Sequence, residues 1–113
     1  MSNTVFFIAS DCLGRGDDEL GAALMQAAIG SLDKLDGGLP SHILFMNSGV
    51  KLCCKGSKVL AGLGALSDAG VDLLCCGTCL DWFDLKDDLS VGRESNMVEI
   101  LGVQNRAGRV VRL

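Results

Sequence analysis

Cys76 and Cys79 are separated by two residues and form the part of this sequence best suited to chemistry. A cysteine acts as a nucleophile or a metal ligand in its thiolate form, which a helix N-terminus or a nearby cation stabilises. Such a pair can form a reversible disulfide, bind a metal ion, or accept and release a sulfur atom. Because the pair directly follows an apolar run of strand-forming residues, we expect a functional thiol site rather than a chance pair.

Four further cysteines, Cys12, Cys53, Cys54 and Cys75, bring the total to six. In a small secreted protein this number would indicate a disulfide framework. The first residues lack the basic start of a signal peptide, and no uncharged apolar stretch approaches the roughly 18 residues of a membrane span. We therefore expect a cytoplasmic protein with free thiols and no membrane partner. For Cys75, burial as a small apolar residue is as plausible as a function.

The composition is that of a globular protein, with 49% hydrophobic and 21% charged residues. A length of 113 residues suits one domain, which we assign to residues 1–113. The net charge is -4 and no run of lysine and arginine is present. These features make nucleic acid an unexpected partner.

Apolar runs and helical periodicity alternate along the chain. Strands are predicted at residues 4–9, 42–46, 71–75 and 109–113. Helices are predicted from Asp17 to the glycines at 37–38, at residues 57–69, and at residues 96–102, where Asn96 caps the first turn. Residues 84–92 are predicted to be a solvated loop. This alternation indicates a single-domain α/β fold, flavodoxin-like or Rossmann-like, with a mainly parallel sheet and helices on both faces.

The cysteines follow the predicted strands, so their positions in the sequence predict where they lie relative to the sheet. In parallel sheets the functional crevice lies beyond the carboxyl ends of the strands. The loops after the first three strands contain Cys12, then Cys53 and Cys54, then Cys76 and Cys79. We expect all five at one edge of the sheet. His42, the single histidine, begins the second strand and should lie at the opposite edge, which argues against a Cys-His catalytic pair.

The loops at residues 10–16 and 47–51 contain glycines and could bind an anion on backbone N–H groups. The candidate substrate-binding residues are Asp11, Cys12, Asn47, Ser48, Gly49, Lys51, Gly77 and Thr78. Lys51, Lys55 or Arg15 could lower a thiol pKa, whereas Asp81 or Asp84 would raise it. No nucleotide-binding fingerprint is present. We expect Trp82 and Phe83 to cover the core or a subunit interface rather than to stack on a ligand.

Three segments, residues 10–21, 47–52 and 76–81, resemble the DsrE/DsrF-like domain of YedF-type selenium metabolism proteins, a branch of the sulfur-relay superfamily. The resemblance implies a flavodoxin-like sheet, a homo-oligomer, and a cysteine after the third or fourth strand that carries persulfide sulfur. By position Cys76 matches the carrier, and Cys79 would resolve or share the sulfur. Such proteins commonly carry a TusA-like domain, so a separate TusA-like partner, or a stand-alone form of this domain, is expected.

Three functions from different classes follow. The first is a sulfurtransferase that holds sulfane sulfur or selenium as a persulfide, receives it from a donor such as a cysteine desulfurase, and passes it to a partner protein. The second is a thiol-disulfide redox protein that uses Cys76 and Cys79, disfavoured because Pro40, the single proline, should lie far from the pair. The third is a cysteine-rich module for zinc or an iron–sulfur cluster, whose ligands would come from three loops. For the carrier we expect no cofactor and no metal.

Overall fold

The computed structural model describes residues 2–113 and contains one five-stranded sheet in which every neighbouring pair is parallel. The strands are β1 (Thr4–Ile8), β2 (His42–Phe45), β3 (Asp72–Cys76), β4 (Arg93–Ser95) and β5 (Arg109–Arg112). Their order across the sheet is β4-β3-β2-β1-β5. The chain therefore steps outward from β1 to β4 and then returns to the far side of β1.

Helices connect the strands. The α-helices of the described residues are α1 (Asp18–Ser31), α2 (Leu60–Asp68), α3 (Gly77–Trp82) and α4 (Met97–Arg106), and 3₁₀ helices cover Leu32–Lys34, Asn47–Cys53 and Lys86–Asp88. Right-handed crossovers place α1 and α2 on one face of the sheet and α4, which returns from β4 to β5, on the other. The predicted single-domain α/β fold with a parallel sheet is confirmed.

The three central strands form the core because both of their faces are covered. In β2 and β3 the residues Ile43, Leu44, Phe45, Leu74 and Cys75 are fully buried. The register pairs Ile8 with Phe45, and Phe45 with Cys75. The strands thus end at nearly the same level, and the residues that follow β1, β2 and β3 begin side by side.

The start of α1 agrees with the prediction, but its buried face does not. Asp17 is the N-cap, and its carboxylate accepts a hydrogen bond from the N–H of Leu20 at 2.8 Å. The helical spacing of the apolar residues predicts that Leu20, Met25 and Ile29 share the buried face. The helix does bury Met25 and Ile29, together with Gly21, but Leu20 is 58% exposed. The cause is close packing at Gly21, where a Cβ would lie 2.9 Å from the Cβ of Cys12. The helix is rotated so that this glycine meets the loop after β1.

The interpretation of residues 84–92 as a solvated loop was incomplete. This segment contains the 3₁₀ helix Lys86–Asp88 and leads into β4, a strand that the sequence did not predict. Gly92, with a φ of 78°, lies so near Leu73 that a Cβ would be 2.9 Å from the Leu73 carbonyl oxygen. The Arg93 guanidinium pairs with Asp72 at 3.0 Å and with Glu99 at 2.8 Å. These contacts hold a short polar edge strand that has no apolar pattern.

Other element boundaries differ by a few residues. The helix predicted at 57–69 begins at Leu60, and the one predicted to end near Gly102 continues to Arg106. The predicted cap of α4 is confirmed, since the Asn96 amide oxygen accepts from the N–H of Glu99 at 2.9 Å. Within residues 2–113, no helix combines the length and the apolar character needed to cross a bilayer.

The lowered pKa of the Glu99 carboxyl predicts how the stability of the protein depends on pH. Arg93 and then Ser95 lower the pKa of the Glu99 carboxyl to about 2 by hydrogen bonding to its charged form. A lowered folded-state pKa contributes stability that is present above the unfolded value, about 4.3, and is lost as the pH falls toward 2. We expect Glu99→Gln to lower the free energy of unfolding at pH 7, and the difference from wild type to shrink between about pH 5 and pH 2.

Urea unfolding at several pH values measures this difference. Glu19→Gln, at an exposed position in the first turn of α1, is the control and should change stability less across the same range. A Glu99→Gln deficit that is equally large at pH 7 and at pH 2 would contradict the assignment.

Candidate functional site

Cys76 and Cys79 lie where β3 passes into α3. Cys76 is the last residue of the strand and the N-cap of the helix, and Cys79 lies in the first turn of that helix. The Cys76 thiol is near enough to raise the pKa of the Cys79 thiol. Cys76 is only 3% exposed, whereas Cys79 is partly exposed. Solvent and a partner molecule therefore reach Cys79 first in the single chain.

A second loop contributes directly to this pair. The N–H of Asn47 points to the sulfur of Cys79, with a distance of 3.1 Å between nitrogen and sulfur. Asn47 follows β2 and has a φ of 50°, a left-handed conformation that asparagine tolerates better than most residues. The Asn47 amide oxygen accepts from the N–H of Ser48 at 2.8 Å, which stabilises the turn. The predicted residue Asn47 thus joins the cysteine pair through its backbone.

Gly49 fixes the position of this turn. A methyl group at residue 49 would overlap the carbonyl oxygen of Ile8, so the chain can pass this close to the end of β1 only with glycine. The same carbonyl accepts the N–H of Met46 at 2.9 Å. The turn after β2 is consequently held against the end of β1 and directed toward α3.

Hydrogen bonds link the loop after β1 to the same turn. The Ser48 hydroxyl accepts from the N–H of Asp11 at 3.3 Å, and the Ser10 hydroxyl accepts from the N–H of Cys12 at 3.0 Å. The Cys12 thiol itself lies against α1, at 3.5 Å from the carbonyl oxygen of Asp18. Asp11 and Ser48 are therefore neighbours, as expected, while Cys12 faces another part of the fold.

Gly77 permits the sharp exit from β3. A Cβ at this position would lie 2.7 Å from a carboxylate oxygen of Glu94 and 3.1 Å from the carbonyl oxygen of Ser95. The glycine is buried and Thr78 is exposed. Only a residue without a side chain allows β4 to pack against the beginning of α3. The unpredicted strand β4 is thus one wall beside the cysteine pair.

The surroundings of Cys79 favour its protonated form. Burial and the neighbouring Cys76 raise the pKa of the Cys79 thiol, while the Asn47 N–H lowers it. The ammonium group of Lys51, expected to assist a thiolate, lies 4.5 Å from the ring centroid of Phe83. Asp81, which was expected to raise a thiol pKa, pairs with Lys86 at 3.2 Å. Within residues 2–113, the one contact that favours a Cys79 thiolate is the backbone N–H of Asn47.

The remaining cysteines do not join this pair. Cys53 and Cys75 contact each other in the core, and this contact together with burial raises the pKa of Cys53. The Cys54 thiol donates to the carbonyl oxygen of Val50 at 3.2 Å, and burial raises its pKa. The five cysteines predicted at one edge of the sheet therefore do not form one cluster, because Cys53 and Cys54 are buried in the core. Among residues 2–113 no group of three or more His, Cys, Asp or Glu side chains is arranged to hold a metal ion.

The single histidine and two aromatic residues named from the sequence also have clear positions. His42 lies at the start of β2, 3.8 Å from Asp72, at the edge of the sheet opposite the cysteine pair. Trp82 is 83% exposed and does not cover the core of the chain. Phe83 is half-buried and packs against the core.

Comparisons with solved structures show the same fold. The crystal structure of the ychN protein from E. coli matches with a TM-score of 0.72 and 19% sequence identity over 100% of both chains. A protein of unknown function, MTH1491 from Methanobacterium thermoautotrophicum, matches with a TM-score of 0.69 and 22% identity over 97% of both chains. No family model and no curated protein matches the sequence. The two likenesses show that this chain shares the fold of these two proteins over nearly its whole length.

The close approach at Gly49 predicts a sharp stability effect. Gly49→Ala should lower the free energy of unfolding by about 1–3 kcal/mol, because the new methyl group forces the turn away from Ile8. Gly64→Ala is the matched control, since a Cβ there meets no atom within 4 Å in α2 and should add about 0.5–1 kcal/mol. Chemical denaturation measures both. Equal effects of the two substitutions would contradict the described packing.

The raised pKa of Cys79 predicts its reactivity. Only the thiolate is alkylated, so the reaction of Cys79 with iodoacetamide should be slow at pH 7 and rise with a midpoint above that of a free thiol, about 8.5. In Cys76→Ala the midpoint should move down, because the neighbour that raises the pKa is absent. Peptide mass spectrometry at a series of pH values measures both midpoints. A downward-shifted midpoint for Cys79 in the wild-type protein would contradict this account.

Proposed function

We propose that this protein is a sulfur-relay carrier of the sulfurtransferase type, which holds sulfane sulfur, or selenium, on its cysteine pair and passes it to a partner protein. The observation that supports this most is the partly exposed Cys79 thiol, which lies one helical turn from the buried Cys76 and accepts the Asn47 N–H at the carboxyl edge of the sheet. The fold resemblance to DsrE/DsrF-like proteins supports the same function.

The proposed step needs a thiolate and an accessible sulfur, and no other catalytic group. The Cys79 thiolate attacks the terminal sulfur of a persulfide on the donor. The sulfur–sulfur bond of the donor breaks, and its electron pair leaves with the donor thiolate, which takes up the proton lost by Cys79. Cys79 gains one sulfur atom, the donor becomes a thiol, and no oxidant is consumed. The distance of His42 from the site is compatible with this chemistry, because no proton-relay imidazole is required.

The two cysteines have different proposed roles. The family resemblance assigns the carrier to Cys76, which is 3% exposed. The greater exposure of Cys79 and its hydrogen bond from Asn47 support Cys79 as the residue that receives sulfur from a partner. Cys76 then serves as the second thiol that shares or releases the sulfur. The loops around this pair contain the candidate residues Asp11, Asn47, Ser48, Gly49, Gly77 and Thr78.

The partners of the carrier follow from the same proposal. A TusA-like protein is the expected acceptor or donor, and a cysteine desulfurase is the expected first source of sulfur. Exposed apolar side chains on α4 and at the end of α3, Val98 at 84% and Trp82 at 83%, support association with another protein or with a second copy of this chain. The cytoplasmic location is part of this proposal, because persulfide relays need reduced thiols.

A thiol-disulfide redox function is the alternative, and the position of Cys76 and Cys79 one turn apart at the start of α3 favours it. In that case a partner disulfide accepts two electrons from the pair and is itself reduced. Pro40, the single proline, precedes β2 near the start of β1, far from the pair, so no proline faces these thiols. A measured reduction potential outside the range of cellular thiol buffers would remove this alternative.

Incubation with a persulfide donor tests the carrier function. The reduced protein is mixed with a cysteine desulfurase and cysteine, and intact-mass spectrometry records the addition of one sulfur atom. We expect the adduct in the wild type, in Cys12→Ser and in Cys76→Ser, and its loss in Cys79→Ser. Cys12→Ser is the matched control because Cys12 is also partly exposed but contacts α1.

Each result has a distinct meaning. An adduct that persists in Cys79→Ser and disappears in Cys76→Ser would return the carrier role to Cys76. An adduct absent from the wild type, or one that disappears only in Cys12→Ser, would refute the proposed site.

A further inference from the structure

A cavity of about 520 Å³ lies between α1, the segment that follows β2, and the end of α3. This volume is within the range of small-molecule sites. Its lining comes from α1, the loops at residues 11 and 51–59, and the residues Phe83 and Leu85. The cysteine pair is not among these residues, so the cavity is a separate feature of the same edge of the fold.

Three lysines surround the cavity and one acidic residue faces them. Lys51, Lys55 and Lys58 are exposed at its rim, and Asp11 is the sole carboxylate of the lining. Within residues 2–113 none of these three ammonium groups has a carboxylate oxygen within 4.0 Å. The protein as a whole has a net charge of -4. Unpaired positive charge is therefore concentrated here against the overall acidic balance, and it attracts anions.

The inner part of the cavity is apolar. Leu52, Cys54 and Val59 are buried at its base, and the half-buried Phe83 and Leu85 complete one wall. The Lys51 ammonium group lies 4.5 Å from the centroid of the Phe83 ring, so a positive charge is held where the apolar wall meets the rim. The cavity thus offers cations at its opening and apolar contact beneath them.

We propose that this cavity binds a small organic anion with two or more negative charges and a short apolar portion. The negative groups pair with the three lysines at the rim, and Asp11 repels them from its own side. The apolar portion covers Leu52, Val59 and Phe83, which a purely inorganic anion would leave exposed to water. The binding site is additional to sulfur carriage and requires no reaction at the Cys54 thiol, which is bonded to the Val50 carbonyl.

Nuclear magnetic resonance with naphthalene-1,5-disulfonate, an organic dianion that fits the proposed class, locates the site in the wild-type protein. At millimolar concentration we expect amide shift changes at Gly56, Ser57, Lys58 and Phe83. Sulfate at equal concentration should produce weaker changes, because it lacks the apolar portion. Changes confined to the exposed α4 surface around Val98, no changes at all, or an equal response to sulfate would overturn the proposal.

Charge removal gives an independent measurement. The double variant Lys55→Gln, Lys58→Gln should bind naphthalene-1,5-disulfonate more weakly and raise its dissociation constant about tenfold. Lys34→Gln, Arg106→Gln removes the same charge at exposed positions outside the cavity and should leave the constant unchanged. The amide spectrum of each variant shows that it is folded. Equal weakening in both double variants, or none in the first, would refute specific binding by the rim lysines.

Discussion

Contact between the backbone at Gly49 and the carbonyl oxygen of Ile8 determines how the loops at the carboxyl edge of the sheet are arranged. The two strands β1 and β2 end at the same level, so the chain leaving β2 must cross the end of β1 at once. With glycine at this position the turn lies flat against β1, and the N–H of Asn47 reaches the sulfur of Cys79. A bulkier residue would displace the donor and separate two elements that are 32 residues apart in the chain.

The cysteine pair has one accessible thiol, Cys79, whose surroundings favour the protonated form. Its electrostatic surroundings keep Cys79 largely protonated, since burial and Cys76 outweigh the one backbone N–H that favours the thiolate. Lys51 does not take part, because its ammonium group lies over the ring of Phe83. A thiol in this condition reacts little with small molecules that meet it by chance. A partner protein that brings a positive group to Cys79 would supply the missing stabilisation when it docks.

Much of the fold could be predicted because apolar runs define β1, β2 and β3, and because side-chain caps at Asp17 and Asn96 define the starts of two helices. Strand β4 could not, since it is three residues long, mostly exposed, and held by the Arg93 ion pairs with residues distant in sequence. The buried face of α1 depends on the contact between Gly21 and Cys12, which helical periodicity does not contain.

The same division applies to the candidate site. The rule for parallel sheets places the loops after β2 and β3 at one edge, where the Asn47 N–H meets Cys79, but it carries no information on depth, so the burial of Cys53 and Cys76 was missed. The cavity beside Phe83 was also missed. Three lysines within eight residues, at 51, 55 and 58, were its one signal in the sequence, and their convergence depends on the 3₁₀ helix Asn47–Cys53.

Because the six cysteines are buried to different extents, their reactivity can report conformational opening of the protein. Cys12 and Cys79 are partly exposed, while Cys53, Cys54, Cys75 and Cys76 are buried in the folded chain. The number of thiols that react with a reagent therefore distinguishes the folded chain from a chain opened locally at the carboxyl end of β3, and both from the unfolded chain. Two cysteines in the second and third strand regions, Cys53 and Cys75, become reactive only when the centre of the sheet separates. Counting the reactive thiols thus separates local opening from global unfolding, which a single spectroscopic signal would average.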